Sequence, residues 1–232
     1  MVFAVLLLAL CGLAVGATSI GGVLVVPVLT TVAQVTPERA VAAASFAFMF
    51  TGAAAFVKTG TARQVHPSLN LAALAGGALG ALSLAWLPMA AVQTAVGVLA
   101  IASGVLAWTG RGRSHPVPLP VPALAALGLA VGCVSAWSGT GGPVALLPLL
   151  ALLGCTPGWA VEAAQRVQLP VALAATTVNA AAGRLDPWLG AAIGVLVLLG
   201  WFAGRRVARR LPGRQLQRWL GIMLIATGLA YL

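Results

Sequence analysis

A chain of 232 residues with 61% hydrophobic and only 7% charged residues, at a mean hydropathy of +1.05, has too little polar surface to cover a water-soluble globule. Its net charge of +10 sits in short loops without interleaved aromatic and polar surface, so the expected partner is the lipid bilayer and not nucleic acid. Cys11, Cys133 and Cys155 form neither a CxxC pair nor a His/Cys metal spacing, so no disulfide framework, metal site or cofactor is expected.

In chain order, apolar pieces fall at roughly 1–16, 20–34, 38–57, 68–86 and 90–108. The first could pass for a signal peptide, but it lacks a basic start and its glycine motif returns later, so it is expected to belong to the mature fold. A basic, proline-rich stretch at 111–122, with Arg111, Arg113 and His115 followed by four prolines, cannot continue a helix. Five further pieces follow at roughly 123–137, 141–155, 157–182, 186–204 and 214–232. The expected organisation is a first transmembrane repeat at 1–110, a cytoplasmic linker at 111–122 and a second repeat at 123–232.

The two halves share their text. Gly12-Leu13-Ala14-Val15-Gly16 returns as Gly128-Leu129-Ala130-Val131-Gly132, and Gly21-Gly22 with Pro27 returns as Gly141-Gly142 with Pro148. Thr36-Pro37, Ala40-Val41 and Ala43-Ala44 recur 120 residues later, and Leu87-Pro88, Gly97 and Gly104 recur 124 residues later. The last three pieces of each half are about 17–26 residues, enough to cross a hydrocarbon core of roughly 30 Å. The first two are about 14–16 residues and meet at glycine-rich sequence, which points to a re-entrant hairpin whose broken backbone is buried in protein, the alternative being two ordinary short spans joined by a surface turn. The fold class expected is an all-α integral membrane protein of two inverted repeats, each a glycine-broken hairpin plus three spans.

Loop charge orients the halves. Lys58, Arg63 and His66 mark one basic loop and Arg111, Arg113 and His115 another, both therefore cytoplasmic, with the uncharged Leu87-Pro88 turn between them. In the second half Arg184 and Asp186 cancel, whereas the equivalent of the neutral turn, residues 204–214, is the most basic stretch of all. Opposite bias at equivalent loops means opposite orientation. Both termini would lie outside.

Two inverted, glycine-broken hairpins bring two helix N-termini together at mid-membrane, where unpaired N–H groups and the helix dipoles favour an anion. The expected binding residues are Ser19, Gly21 and Gly22 in the first half. Ser135, Ser138, Gly139, Thr140, Gly141 and Gly142 are their second-half counterparts. The helix opening at Pro157 adds Glu162, Gln165, Arg166 and Gln168, where the first half has Ala42, Ser45, Phe46 and Phe48. Arg166 and Gln165 are expected to touch the anion, and Glu162 to couple transport to a proton. Glu38 and Asp186 fit helix starts, and His66 and His115 read as solvated loop residues.

Gly128-Leu129-Ala130-Val131-Gly132, followed by Ser135-Ala136-Trp137-Ser138-Gly139-Thr140-Gly141-Gly142-Pro143 and then Pro148, Thr156 and Pro157, resembles the TauE/SafE (sulfite exporter, TSUP) family of membrane transporters. The resemblance covers both repeats, although Pro143 and Val23 stand where the family signature has its third glycine, and the first copy is one residue shorter before Pro27. It implies transport of sulfite, sulfonates such as sulfoacetate, or related organic anions across a bacterial cytoplasmic membrane, by alternating access around a midplane site. The rivals are a passive anion channel, using the same helix ends without a coupled carboxylate, and a membrane subunit of a larger complex. No nucleophile with a partnered base is visible in the sequence, so an enzyme is not expected.

Single cysteines at Pro88 and Gly213, in a background lacking the native cysteines, are expected to label from opposite sides of the membrane. Labelling from one side overturns the inverted arrangement.

Overall fold

The computed structural model describes residues 2–19, 21–59, 66–109, 119–153, 155, 157–210 and 213–230. All the secondary structure among them is helical: α1 (Val2–Thr18), a 3-10 turn (Gly21–Leu24), α2 (Val25–Pro27), a π-helical turn (Val28–Val32), α3 (Pro37–Thr59), α4 (Pro67–Ser83), a 3-10 turn (Leu84–Trp86), α5 (Met89–Thr109), α6 (Val121–Ser138), α7 (Pro143–Leu152), α8 (Pro157–Ala181), α9 (Pro187–Ala208) and α10 (Gly213–Ala230). Most of the expected linker, including Arg111, Arg113 and His115, lies outside the described residues, and α6 takes in its last two residues.

Proline starts five of the helices, where its missing N–H costs nothing and its fixed φ suits the first turn. Asp186 caps α9 by accepting from the N–H groups of Trp188 and Leu189 at 3.0 and 3.1 Å. His66 is exposed, but it is more than a solvated loop residue: its Nδ1 accepts the Ser68 N–H at 3.2 Å and caps α4. Arg184 also has a local task. Its Nη2 donates to the Ala81 carbonyl at 2.8 Å in the last turn of α4, where a cation meets the negative end of the helix. Glu38 lies in the first turn of α3, as its position after Pro37 implies.

Four helical stretches among the described residues are long and apolar enough to cross a membrane: Pro37–Val57, Pro67–Trp86, Val121–Ser138 and Pro187–Ala208. The expected hairpin arms depart from 14–16 residues, since α1 has 17, α6 has 18 and α7 only 10. The two copies also break at different points: four residues lie between Gly16 and Gly21 but eight between Gly132 and Gly141, and the four added residues continue α6 by about one turn past its glycine motif.

Packing follows the repeat. Helix α1 lies on α9 as α6 lies on α4, α3 lies on α9 as α8 lies on α4, and the equivalent pairs α3/α8 and α5/α10 pack on each other. Glycines decide the first two crossings. A Cβ on Gly12 or Gly16 would strike backbone at Val197 or Trp201, and one on Gly200 or Gly204 would strike the carbonyl of Ala9 or Leu13. Gly76 and Gly80 meet Leu129 and Cys133 in the same way, while Gly128 and Gly132 meet Leu69 and Ala73. These are close backbone approaches of the small-xxx-small kind that hold helices together in lipid. Residue numbers rise together along both crossings, so each pair runs parallel. Helices α5 and α10 run antiparallel, with Gly104 against Gly221 and Gly97 against Gly228.

Leu6, Leu10, Leu71, Leu82 and Leu199 face outward, as lipid-facing residues do. The core divides into two larger clusters around Leu146, Leu150 and Val167, and around Phe48, Leu29 and Trp201.

Gly132→Leu is expected to cost at least the roughly 1–3 kcal/mol of an overpacked site, lowering the midpoint of thermal unfolding in detergent. Lipid-facing Leu71→Ala should leave it unchanged. Equal midpoints for both would remove the crossing glycines as the limit on helix approach.

Candidate functional site

Two helices stop inside the molecule. Helix α1 ends on Ser19, whose N–H donates to the Val15 carbonyl at 2.8 Å and whose φ is +66°, a left-handed conformation that costs a residue with a Cβ about 1–2 kcal/mol. Helix α6 ends on Gly139 at φ +63°, the same cap with no such cost. Ser19 therefore matches Gly139 as a cap, although counting from the shared glycine motif pairs it with Ser135. Gly141 at φ +75° and Gly142 at φ +105° then turn the chain into α7. The second copy thus opens a regular helix of 10 residues, whereas the first opens a 3-10 turn followed by irregular helix.

The two breaks meet at Phe48 on α3. A Cβ on Gly22 would come within 2.7 Å of the Phe48 ring and 3.1 Å of the Thr140 carbonyl, and one on Gly141 within 3.0 Å of the same ring. Phe48 is fully buried. Gly142 turns the other way, toward α8, with ordinary spacing of 3.5 Å to Val167 and 3.8 Å to Gln168.

Hydrogen bonds tie the breaks to α8. Gln165 Nε2 donates to Ser19 Oγ at 2.8 Å, and Gln168 Nε2 donates to Thr51 Oγ1 at 2.8 Å. Each bond joins one half of the chain to the other, and all four side chains are buried. Ser138 Oγ donates to the Val134 carbonyl at 2.7 Å, so across the 2.9 Å contact with Thr140 it is Thr140 that donates. Ser135 buries its hydroxyl without a hydrogen-bond partner. The Ser19 hydroxyl proton and the second N–H of each glutamine thus remain as donors near the chain turn into α7, whose first-turn N–H groups no helical carbonyl can reach. A cluster of neutral donors inside an apolar bundle suits an acceptor-rich guest.

The structure brings together Ser19, Gly22, Thr140, Gly141, Gly142 and Gln165 of the residues expected from sequence, with Ser138 bonded to Thr140. Gly21 turns away and abuts α1 at Ala14 and the Cys11 carbonyl. Gly139 packs against Val26 and Val41. Glu162 and Arg166 are half-buried on the flank of α8, about 60° and 100° round the helix from Gln165 at 100° per residue. Sequence reasoning missed Thr51 and Phe48 and left Gln168 beside the site. Thr51 carried one available signal, a hydroxyl that with Ser45 interrupts a helix otherwise rich in alanine and phenylalanine.

Pro170 lies inside α8 two residues after Gln168 and cannot supply the N–H that would bond the Arg166 carbonyl, so one rung of the helix is missing near its polar residues.

Four apolar helices long enough to span a membrane among the described residues mark a polytopic membrane protein. Residues 61–231 match the family model described as Sulfite exporter TauE/SafE, and the chain belongs to that family. The match takes in the second glycine break and begins after the first. No curated protein and no solved structure matches the chain significantly.

At φ +105°, any side chain at Gly142 costs about 1–3 kcal/mol of backbone strain. Gly142→Leu is expected to remain monodisperse in detergent while its affinity for sulfite falls at least tenfold, because leucine covers the α7 N–H groups. Normal affinity in the folded variant would make the glycine a packing device only.

Proposed function

We propose that the protein is a secondary transporter of small sulfur-containing or organic anions, with sulfite and sulfonates such as sulfoacetate as first candidates, in the bacterial cytoplasmic membrane. The observation that carries this is the pair of buried hydrogen bonds, Ser19 to Gln165 and Thr51 to Gln168, that cross between halves beside the glycine breaks. Rocking one half against the other must break and remake bonds at this point, which is where alternating access needs its site.

Helix directions support an inverted pair of hairpins. Gly190 and Gly194 of α9 meet Phe46 and Phe50 of α3, so α3 runs parallel to α9, as α1 does. Helices α1 and α3 then start from one side, and the chain between them has to return. By the same reasoning α6 and α8 both run parallel to α4, through Gly76 at Leu129 and through Gly77 at Val171 and Ala81 at Arg184. The return is made by α7, whose 10 residues span about 15 Å, half a hydrocarbon core. Equivalent helices α5 and α10 run antiparallel, which an axis in the membrane plane requires. Trp86 and Trp188, each about 85% exposed, stand at helix ends that this arrangement places together at the outer interface, where tryptophan is favoured.

In this reading the glutamine amides, the serine hydroxyls and the α7 N-terminus bind the anion's oxygens. Arg166 supplies charge from the flank of α8, and its planar fork suits an oxyanion. Glu162, four residues earlier, holds that guanidinium in the empty state and takes up a proton when the anion displaces it.

Proteoliposomes are expected to take up sulfite saturably down an imposed gradient, whereas flux that never saturates would indicate a channel. Arg166→Gln should bind sulfite at least tenfold more weakly. Glu162→Gln should bind normally but lose the pH dependence of flux. Unchanged affinity in Arg166→Gln would leave the pair as a structural bridge.

A further inference from the structure

Helix α8 carries a second set of polar residues that the central site does not use. Gln165, Gln168, Thr176 and Asn179 fall within about 80° of one another round the helix at 100° per residue, and all four are buried. The first two are hydrogen-bonded to Ser19 and Thr51. The upper two are not: Thr176 Oγ1 and both amide atoms of Asn179 have no hydrogen-bond partner, and Asn179 is 0% exposed. A carboxamide left dry and unpaired is among the more expensive things a folded chain can keep.

Two neighbours give the place a chemical character. Ala175 packs with Ala136 of α6 and Ala81 of α4, and Ser135, beside Ala136, is the other buried hydroxyl near this junction without a partner. Five residues beyond Asn179 stands Arg184, whose N–H donates to the Asn179 carbonyl at 3.0 Å and whose Nη2 anchors on Ala81. Its Nε is buried and has no hydrogen-bond partner. A guanidinium at the head of a stripe of neutral donors selects for negative charge, as basic residues do in anion pores.

We infer that Thr176 and Asn179 form a second, transient station for the transported anion, on a polar lane that runs along α8 from the Arg184 end to the glycine breaks. The lane spans about 21 Å from Asn179 to Gln165 at 1.5 Å per residue, which leaves one stop between the membrane face and the central site. Neutral donors hold an oxyanion weakly enough to release it, and conduction along several weak sites needs that property. The inference rests on the transport reading.

The test compares wild-type protein with Asn179→Leu and Thr176→Val, using sulfite as the probe for both equilibrium binding in detergent and uptake into proteoliposomes. Each variant should keep sulfite affinity within about twofold, because the central site is intact, and should lose about tenfold in maximal uptake. Asn179→Leu should also melt no lower than wild type, since it removes an unpaired polar group from the interior. Wild-type uptake in both variants overturns the lane alone. A lower melting point in Asn179→Leu with normal uptake assigns the amide to a structural partner and also overturns it. Failure of the wild-type protein to take up sulfite at all overturns the transport reading, and the lane with it.

Discussion

Everything in this fold depends on one constraint: in hydrocarbon no water is present to satisfy a peptide group that a helix leaves unpaired. A helix that stops at mid-membrane must therefore be walled in by protein on every side. The parallel glycine crossings provide the wall. At Gly12, Gly16, Gly200 and Gly204, and again at Gly76, Gly80, Gly128 and Gly132, backbone rests on backbone, so α9 and α4 press against the arms that carry the two breaks. Each arm is thus held by a helix from the other half of the chain. Intertwining of this kind means that neither half could bury its own break alone.

The same constraint explains why the interior is asymmetric. The two halves are nearly the same text, yet Phe48 of α3 faces both glycine breaks from one side while Gln168, its counterpart on α8, approaches Gly142 from the other. An apolar ring closes one wall without needing a partner. A glutamine needs one and finds it in Thr51, as Gln165 finds Ser19. Duplicated backbone geometry sets the two breaks face to face, and divergence of side chains on one helix supplies the donors beside them.

Charge is treated differently from polarity. The three acids and the arginine of α8 stay at helix ends or on the flank, with Asp186 capping α9, Glu38 in the first turn of α3, and Glu162 and Arg166 half-buried. Among the described residues the buried polar side chains are all neutral. Desolvating an amide costs far less than desolvating an ion, so amides and hydroxyls can be held in the interior where charges cannot.

The sequence alone determined the solvent, the family, the duplication and the places where helices break, because hydropathy, repeated glycines and prolines act locally and leave their marks in order along the chain. It also foretold the cap at Asp186 and the polar face of α8. It did not show that Ser19 takes the left-handed cap occupied by Gly139 in the other half, because one extra helical turn in α6 shifts the two motifs out of register. Nor did it pair Gln165 with Ser19, 146 positions away, or Gln168 with Thr51, 117 positions away. Arg184, read as half of a neutral loop, is a helix anchor for the same reason. Those contacts depend on how helices from opposite halves cross, and a crossing is fixed by two surfaces meeting, which only the tertiary structure brings together.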